Sequence, residues 1–414
     1  MNFNYSELSL KLTKSITKND KKKEGIYFTP PNTIKNNIDY IKEILNFEAK
    51  NILEPSCGSC EYINILKNTY PESNILGIEY NEKIFDEIKN LYENNNKINI
   101  INEDYINYNF VNQKFDLIIG NPPFFVINKD EVENEYKQFF KCRPNIFILF
   151  IIKSLNLLLP NGILSFILPK NFLNTHYYDK TREYIYKNYY IMNIIECNDK
   201  YLDTQQDTVI FILQNITQIS HQNRIENNDK YIIKKNNYTI FGLKDKMIRI
   251  KELYNNSKTL RELGFEASIG RIVWNECKPI LTNNDDDTLL IYSSDISINN
   301  ELIIKNYKNL NKKNYISYHG MEEPCVIINR GYGNAKYKFN YCLVNLDKPY
   351  QLENHIIFII YTNSNLNNNE LVEKYNKLIS SFDDERTKEF VKLYFENNAI
   401  NITEMNNILP IYNF

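Results

Sequence analysis

The sequence predicts an α/β protein: a doubly wound, mostly parallel sheet followed by a mixed α+β domain. Three observations support this. Seven short β-type runs alternate with helical periods between residues 51 and 213. The fourth run, Phe115–Gly120, breaks into Asn121-Pro122-Pro123-Phe124, a rigid turn at the carboxyl end of a strand, which is where open α/β sheets bind ligands. Past the polar stretch at residues 216–235 the alternation lapses, and Gly264, Gly270, Gly320, Gly331 and Gly333 punctuate the chain.

In chain order, residues 1–24 are largely polar, end near the charged run Asn19–Lys23, and read as an N-terminal arm, a loosely held helix or an extended segment. Residues 25–220 form the first domain. Its strands are expected at Asn51–Leu53, Asn74–Ile78, Ile98–Ile101, Phe115–Ile119, Ile163–Leu168, Met192–Glu196 and Val209–Leu213. Helices are expected at Ile63–Asn68, Lys83–Tyr92, Asn145–Leu158 and Asp179–Lys187. Pro160-Asn161-Gly162 should stop the third helix and turn into the next strand. Thr217 through Asn227 reads as a boundary, and residues 236–414 as the α+β domain, with helical character at Leu371–Ser380 and Asp384–Asn397.

Composition sets bounds on function. A chain of 414 residues has room for two cores, and 43% hydrophobic with 24% charged residues is the balance of a soluble globular protein. No apolar run reaches membrane-spanning length, and the polar start is no signal peptide. Seven scattered cysteines point to reduced thiols in an intracellular compartment. The net charge of −2 does not advertise a nucleic-acid binder, so any such contact must come from a local patch.

Three strand ends look like parts of one ligand site. The first runs into Glu54-Pro55-Ser56-Cys57-Gly58-Ser59-Cys60, a small-residue turn opening a helix whose N-terminus favours an anionic group. The second ends at Glu79-Tyr80, where a carboxylate can take both hydroxyls of a ribose. The third leads to Asp104-Tyr105, placed to accept a hydrogen bond from an adenine amino group. Cys57 and Cys60 form a C-x-x-C, but no second pair or His cluster completes a metal site. Asn121–Phe124 adds a polar amide, two carbonyls without neighbouring N–H donors and an aromatic face, a group suited to gripping a planar base by its amino group.

In this order of motifs the chain resembles the N6-adenine DNA methyltransferases of the gamma arrangement, the class of the TaqI-like and type I modification enzymes. Gly25–Pro31 matches their cofactor-covering segment, followed by the turn at 54–60, Glu79, Asp104 and the catalytic Asn121–Phe124. The resemblance implies a Rossmann-like S-adenosylmethionine (SAM)-dependent sheet followed by a target-recognition domain. It further implies cofactor contacts from Tyr27, Phe28, Thr29, Glu54, Ser56, Cys57, Gly58, Glu79, Tyr80, Asp104, Tyr105 and Asn121. In the family's chemistry, the Asn121 oxygen and the Pro122 carbonyl accept the two N–H groups of adenine N6. Pro123 stiffens the turn, Phe124 stacks on the base, and Tyr201 supplies a second aromatic or is ordinary packing. A base inside a duplex cannot reach such a pocket, so it must flip out.

Ile269–Glu276 and Glu353-Asn354-His355 look like recognition-domain landmarks. One departure is Cys60, where the family often closes the cofactor turn with glycine. Residues 302–340 carry seven Lys or Arg against two Glu, with tyrosines interleaved. Lys312, Lys313, Arg330, Lys336 and Lys338 are therefore candidates for DNA phosphate contacts, or form a solvated basic face. The expected partner is double-stranded DNA, with a separate cognate restriction endonuclease and a monomeric chain. The rival readings are methylation of RNA bases or of a protein glutamine, and a non-catalytic DNA-binding subunit. The length after residue 220 argues against the first, and the intact motifs against the second.

Overall fold

The computed structural model describes residues 4–141, 144–217, 220–236, 238–330, 339–363, 366–395 and 400–414. The chain divides into two compact units: Met1–Lys234 with Thr239–Met247, and Lys235–Tyr238 with Ile248–Phe414.

The first unit is built on a seven-stranded sheet. Its strands are β1 (Asn51–Glu54), β2 (Asn74–Glu79), β3 (Ile98–Asn102), β4 (Phe115–Gly120), β5 (Leu158–Pro169), β6 (Tyr190–Glu196) and β7 (Thr208–Gln214), in the order β3-β2-β1-β4-β5-β7-β6. All neighbours are parallel except at β7, which runs antiparallel to both β5 and β6. Side chains alternate across the sheet as a two-residue period requires. Ile52, Leu117, Ile119, Ile163 and Ile210 pack into one core beneath helices α1 (Glu7–Ser15), α3 (Pro31–Asp39), α4 (Glu61–Thr69) and α5 (Glu82–Ile88). Leu53, Ile118, Leu164, Val209 and Phe211 pack into the other, beneath α6 (Ile146–Leu157) and α7 (Asp179–Asn188). Helix α6 is apolar around most of its circumference and correspondingly almost wholly buried.

The order of strands reverses between β1 and β4: the chain moves outward from β1 to β3, then returns to the other side of β1. Ligands of open α/β sheets bind at such a switch point. The Glu54-Pro55 and Asn121-Pro122 turns leave the sheet there, side by side.

Several elements differ from the sequence reading. Residues 4–24 are helical, one of the two expected forms, but are not loosely held. They form α1 and α2 (Lys18–Glu24), capped by Ser6 and Thr17. Ser6 and Ser9 bond to Glu61, and the buried Lys21 pairs with Asp203 at 2.6 Å. Helix α5 ends at Ile88, short of the expected Tyr92. Pro160-Asn161-Gly162 lies within β5, where the pairing with β4 shifts register and Asn161 takes a φ of 63°. The polar stretch 217–227 is mostly not a linker: α8 (His221–Asn228) closes the sheet's β6 edge. Its Asn228 is fully buried, accepting from Ile191 N at 2.9 Å and donating to the Tyr186 and Tyr189 carbonyls.

The second unit contains two four-stranded sheets. One joins Phe265–Ile269, Ile356–Tyr361, Cys325–Asn329 and Tyr341–Val344, all antiparallel. The other joins Leu281–Thr282, Tyr315–Ile316, Thr288–Ile291 and Tyr350–Leu352. Helices Asn368–Asp383, Glu385–Tyr394 and Ile402–Asn407 complete it. The two landmarks meet: Ile272 bridges to Glu353, and a Cβ on Gly270 would stand 2.2 Å from the Glu353 carbonyl oxygen. Only glycine admits that approach.

Candidate active site

A cavity of about 400 Å³ opens at the switch point, within the size range of small-molecule sites. Of the sequence-predicted cofactor residues, Tyr27, Phe28, Ser56, Gly58, Glu79, Tyr80, Asp104, Tyr105 and Asn121 line it. Thr29, Glu54 and Cys57 do not. They border a smaller adjoining cavity of about 40 Å³.

Glu79 lies at the end of β2 and is 7% exposed. One carboxylate oxygen accepts from Gly58 N and the other from Asn81 N, each at 2.8 Å. Burial pushes its pKa up to about 7, against the lowering effect of those two bonds, and the Glu24 charge adds to the rise. Gly58 meets this requirement with a φ of 52°, and the Phe28 ring passes 3.5 Å from where its Cβ would stand. Cys60 also adopts the left-handed region, at 63°, which explains why glycine suits that position. Its amide donates to the Cys57 carbonyl at 2.8 Å. The Cys57 side chain packs beside Gly77 in the core, away from the main cavity. Burial holds the Glu54 carboxyl well above the ordinary range, and Cys60, Glu79 and Glu61 push the same way. One Glu54 oxygen has no hydrogen-bond partner among the described residues.

Asp104 turns its own loop, accepting from Ile106 N and Asn107 Nδ2. The buried Tyr105 bonds Ser154 at 2.7 Å and packs on Phe150, 4.8 Å between ring centroids. Phe150, Ile106 and Ile146 line the cavity's apolar wall, so it can hold both an apolar ring and a polar sugar.

Asn121 connects the two turns. Its carbonyl accepts from Ser56 Oγ at 3.1 Å. Its Nδ2 donates to the Tyr27 carbonyl at 3.3 Å and to Thr29 Oγ1 at 3.0 Å. A backbone carbonyl can only accept, so the nitrogen must face it and the side-chain oxygen must point the other way. That oxygen is buried and accepts no hydrogen bond among the described residues. A buried acceptor with no donor is costly unless a ligand supplies one. Pro123 lines the cavity beside it.

Phe124 is half-buried, its ring edge-on to Phe147 at 5.9 Å, and does not line the cavity. The cavity-lining aromatic is the next residue, Phe125. Sequence reading passed over it, although neighbours on an extended chain point to opposite sides. Tyr201 is 9% exposed with its hydroxyl buried, and it borders neither cavity. Thr33–Asp199 and Lys21–Asp203 bonds flank it and fix that loop.

The residues of the basic stretch differ in their surroundings. Lys312 Nζ lies 4.0 Å from the ring centroids of both Tyr292 and Tyr307, and burial lowers its pKa. Lys313 donates to the Leu281 carbonyl at 3.1 Å. Both are engaged within the unit, whereas Lys305 and Lys308 are exposed. Arg330 is half-buried, and Lys336 and Lys338 lie outside the described residues. Among the described residues no cluster could hold a metal ion, and no helix is long and apolar enough to cross a membrane.

The mostly parallel seven-stranded sheet with a cavity at its switch point is the Rossmann-like fold of SAM-dependent methyltransferases. Residues 4–202 match the Eco57I restriction-modification methylase family. It is 26% identical over 402 residues to the Type II methyltransferase M.CvrRI of Paramecium bursaria Chlorella virus XZ-6E, covering 94% of each chain. It is 32% identical over 230 residues to the Type II methyltransferase M.AccI of Acinetobacter calcoaceticus, covering 52% of this chain and 41% of that one. The modification methylase CviBIII of Chlorella virus NC1A is 31% identical over 182 residues, covering 44% and 47%. The chain thus spans less than half the length of the latter two. In fold, it resembles the protein of the DrdV–DNA complex, with a TM-score of 0.51 and 13% identity, covering 94% of this chain and 55% of that one.

Proposed function

We propose that the protein transfers a methyl group from SAM to N6 of an adenine flipped out of duplex DNA. The observation that carries this is the Asn121 side-chain oxygen, buried and lacking a donor while its nitrogen is held by Tyr27 and Thr29. The residues fit the cofactor: Glu79 has acceptor capacity left for ribose hydroxyls, Asp104 stands near the expected adenine edge, and Gly58 leaves room for close approach. SAM, when bound, supplies an electrophilic methyl on its sulfonium.

Adenine N6 is a weak nucleophile because its lone pair is delocalised into the ring. Asn121 Oδ1 takes one N6 proton in a hydrogen bond and the Pro122 carbonyl takes the other, drawing the nitrogen towards tetrahedral geometry. Phe124 offers the exposed part of its ring to the base. As N6 bonds the methyl carbon, the methyl–sulfur bond breaks, leaving the thioether, and N6 sheds one proton to water; positioning and polarisation lower the barrier without a strong general base. In this reading residues 236–414 select the target sequence. The partners are duplex DNA and a separate cognate endonuclease, and the chain acts as an intracellular monomer.

The test is mass spectrometry of nucleosides from DNA incubated with the protein and SAM. N6-methyladenine is expected. N4-methylcytosine alone, or methylation confined to RNA, would overturn the reading.

A further inference from the structure

We infer that Thr29, with the Tyr27 carbonyl, is a positioning residue that fixes which end of the Asn121 amide meets the target base. The inference rests on the function proposed above. The two ends of an Asn amide are nearly isosteric, and a half-turn about its last torsion exchanges acceptor for donor. In the turned state the NH₂ would face a target amino group, donor against donor. The Tyr27 carbonyl at 3.3 Å can only accept and opposes this, while Thr29 Oγ1 at 3.0 Å adds a second bond that holds the amide nitrogen in place. Thr29 is 6% exposed and borders the smaller adjoining cavity, with its hydroxyl on the Asn121 amide.

The backbone is built for this contact. Gly25 ends α2 with a φ of 68°, and a Cβ there would lie 2.8 Å from Phe124 N and 2.9 Å from Pro123 Cβ. Glycine therefore lets the covering segment lie directly on the catalytic turn. Tyr27 and Phe28 of that segment line the cofactor cavity. A ligand seated against them would brace the same segment that holds Asn121.

The test compares Thr29→Val, which keeps shape and removes the acceptor, with Thr29→Ser, which keeps the acceptor. Val should lower kcat roughly three- to tenfold, the value of one neutral hydrogen bond. SAM affinity should stay within about twofold, and Ser should restore the rate. A second readout needs no turnover. With S-adenosylhomocysteine bound, affinity is measured for duplex carrying adenine or an abasic site at the target, located by sequencing methylated DNA. Thr29→Val should reduce the preference for adenine by a similar factor, and should add nothing in an Asn121→Ala background. Full kcat and full preference in Val, or an additive effect on top of Asn121→Ala, would overturn the inference. Failure of the wild type to form N6-methyladenine would instead remove the underlying reading.

Discussion

Glu79 should make cofactor affinity depend on pH across the neutral range. Its carboxyl is buried and its pKa pushed up to about 7 from an ordinary 4.5. Ribose hydroxyls donate hydrogen bonds, so the ionised form is the better partner, and binding should lower the pKa and release a proton. Affinity should therefore reach a plateau above pH 8 and fall as pH drops through 7, about tenfold weaker at pH 6 than on the plateau. The unliganded protein should respond in the opposite direction. A folded-state pKa above the unfolded value contributes stability that is full below pH 4.5 and lost as pH rises through 7. The whole change is roughly 3 kcal/mol for a fully buried group. Calorimetric titration of SAM at pH 6, 7 and 8, in two buffers of different ionisation enthalpy, measures affinity and proton release together. Thermal unfolding at pH 5 and pH 8 gives the stability side. Glu79→Gln should flatten both profiles. A dissociation constant unchanged between pH 6 and 8, or the same dependence in Glu79→Gln, would refute the reasoning.

Asn121→Ala should abolish turnover with SAM binding intact, whereas Glu79→Ala should weaken SAM binding roughly ten- to a hundredfold; equal affinity losses by calorimetry would contradict that division. Lys312→Ala should destabilise the second unit by about 1–2 kcal/mol through lost cation–π contact and leave the salt dependence of DNA binding unchanged, as read by denaturation and by binding at several salt concentrations. Lys305→Gln with Lys308→Gln should instead lower that salt slope by about 0.9 for each phosphate contact removed, and an unchanged slope would show that these lysines are merely solvated. Gly25→Ala should displace the Asn-Pro-Pro-Phe turn and cut kcat more than SAM affinity, since both the left-handed φ and the 2.8 Å approach to Phe124 N exclude a side chain; rate and affinity measured on one preparation decide it.

The seven strands of the sheet were legible because each is a short apolar run bounded by turn residues, and burial on both faces leaves little ambiguity about such runs. The site was legible for a related reason: its residues sit at strand ends, where position along the chain implies position in space. Glu79 ends β2; Gly58, Asp104 and Asn121 follow strands by one to four residues, and all four line the same cavity. What failed was the sense of polar segments. The 217–227 stretch looks like a linker, yet Asn228 at its far end is fully buried because its amide satisfies backbone groups at a sheet edge. Lys21, in a run of charged residues, is buried because Asp203 and a backbone carbonyl lie opposite it. No local pattern announces a partner 182 residues away.

The same limit governs the candidate DNA surface, and it changes how that surface must be argued. Lys312 and Lys305 are both lysines in one loop, and charge counting treats them alike. The fold separates them through Asp295, which is fully buried and accepts from Tyr307 Oη at 2.7 Å and Tyr292 N at 2.9 Å. Those bonds place the two tyrosine rings so that the Lys312 ammonium fits between them, with the Asp295 and Glu353 charges opposing the drop in its pKa. A cation held between two rings, with two carboxylate charges nearby, has little to gain from a phosphate, because transfer forfeits contacts already made. Lys305 has its backbone N–H on Asp295, while the residue as a whole stays exposed to solvent. One buried aspartate thus spends one lysine on structure and leaves its neighbour available to a polyanion.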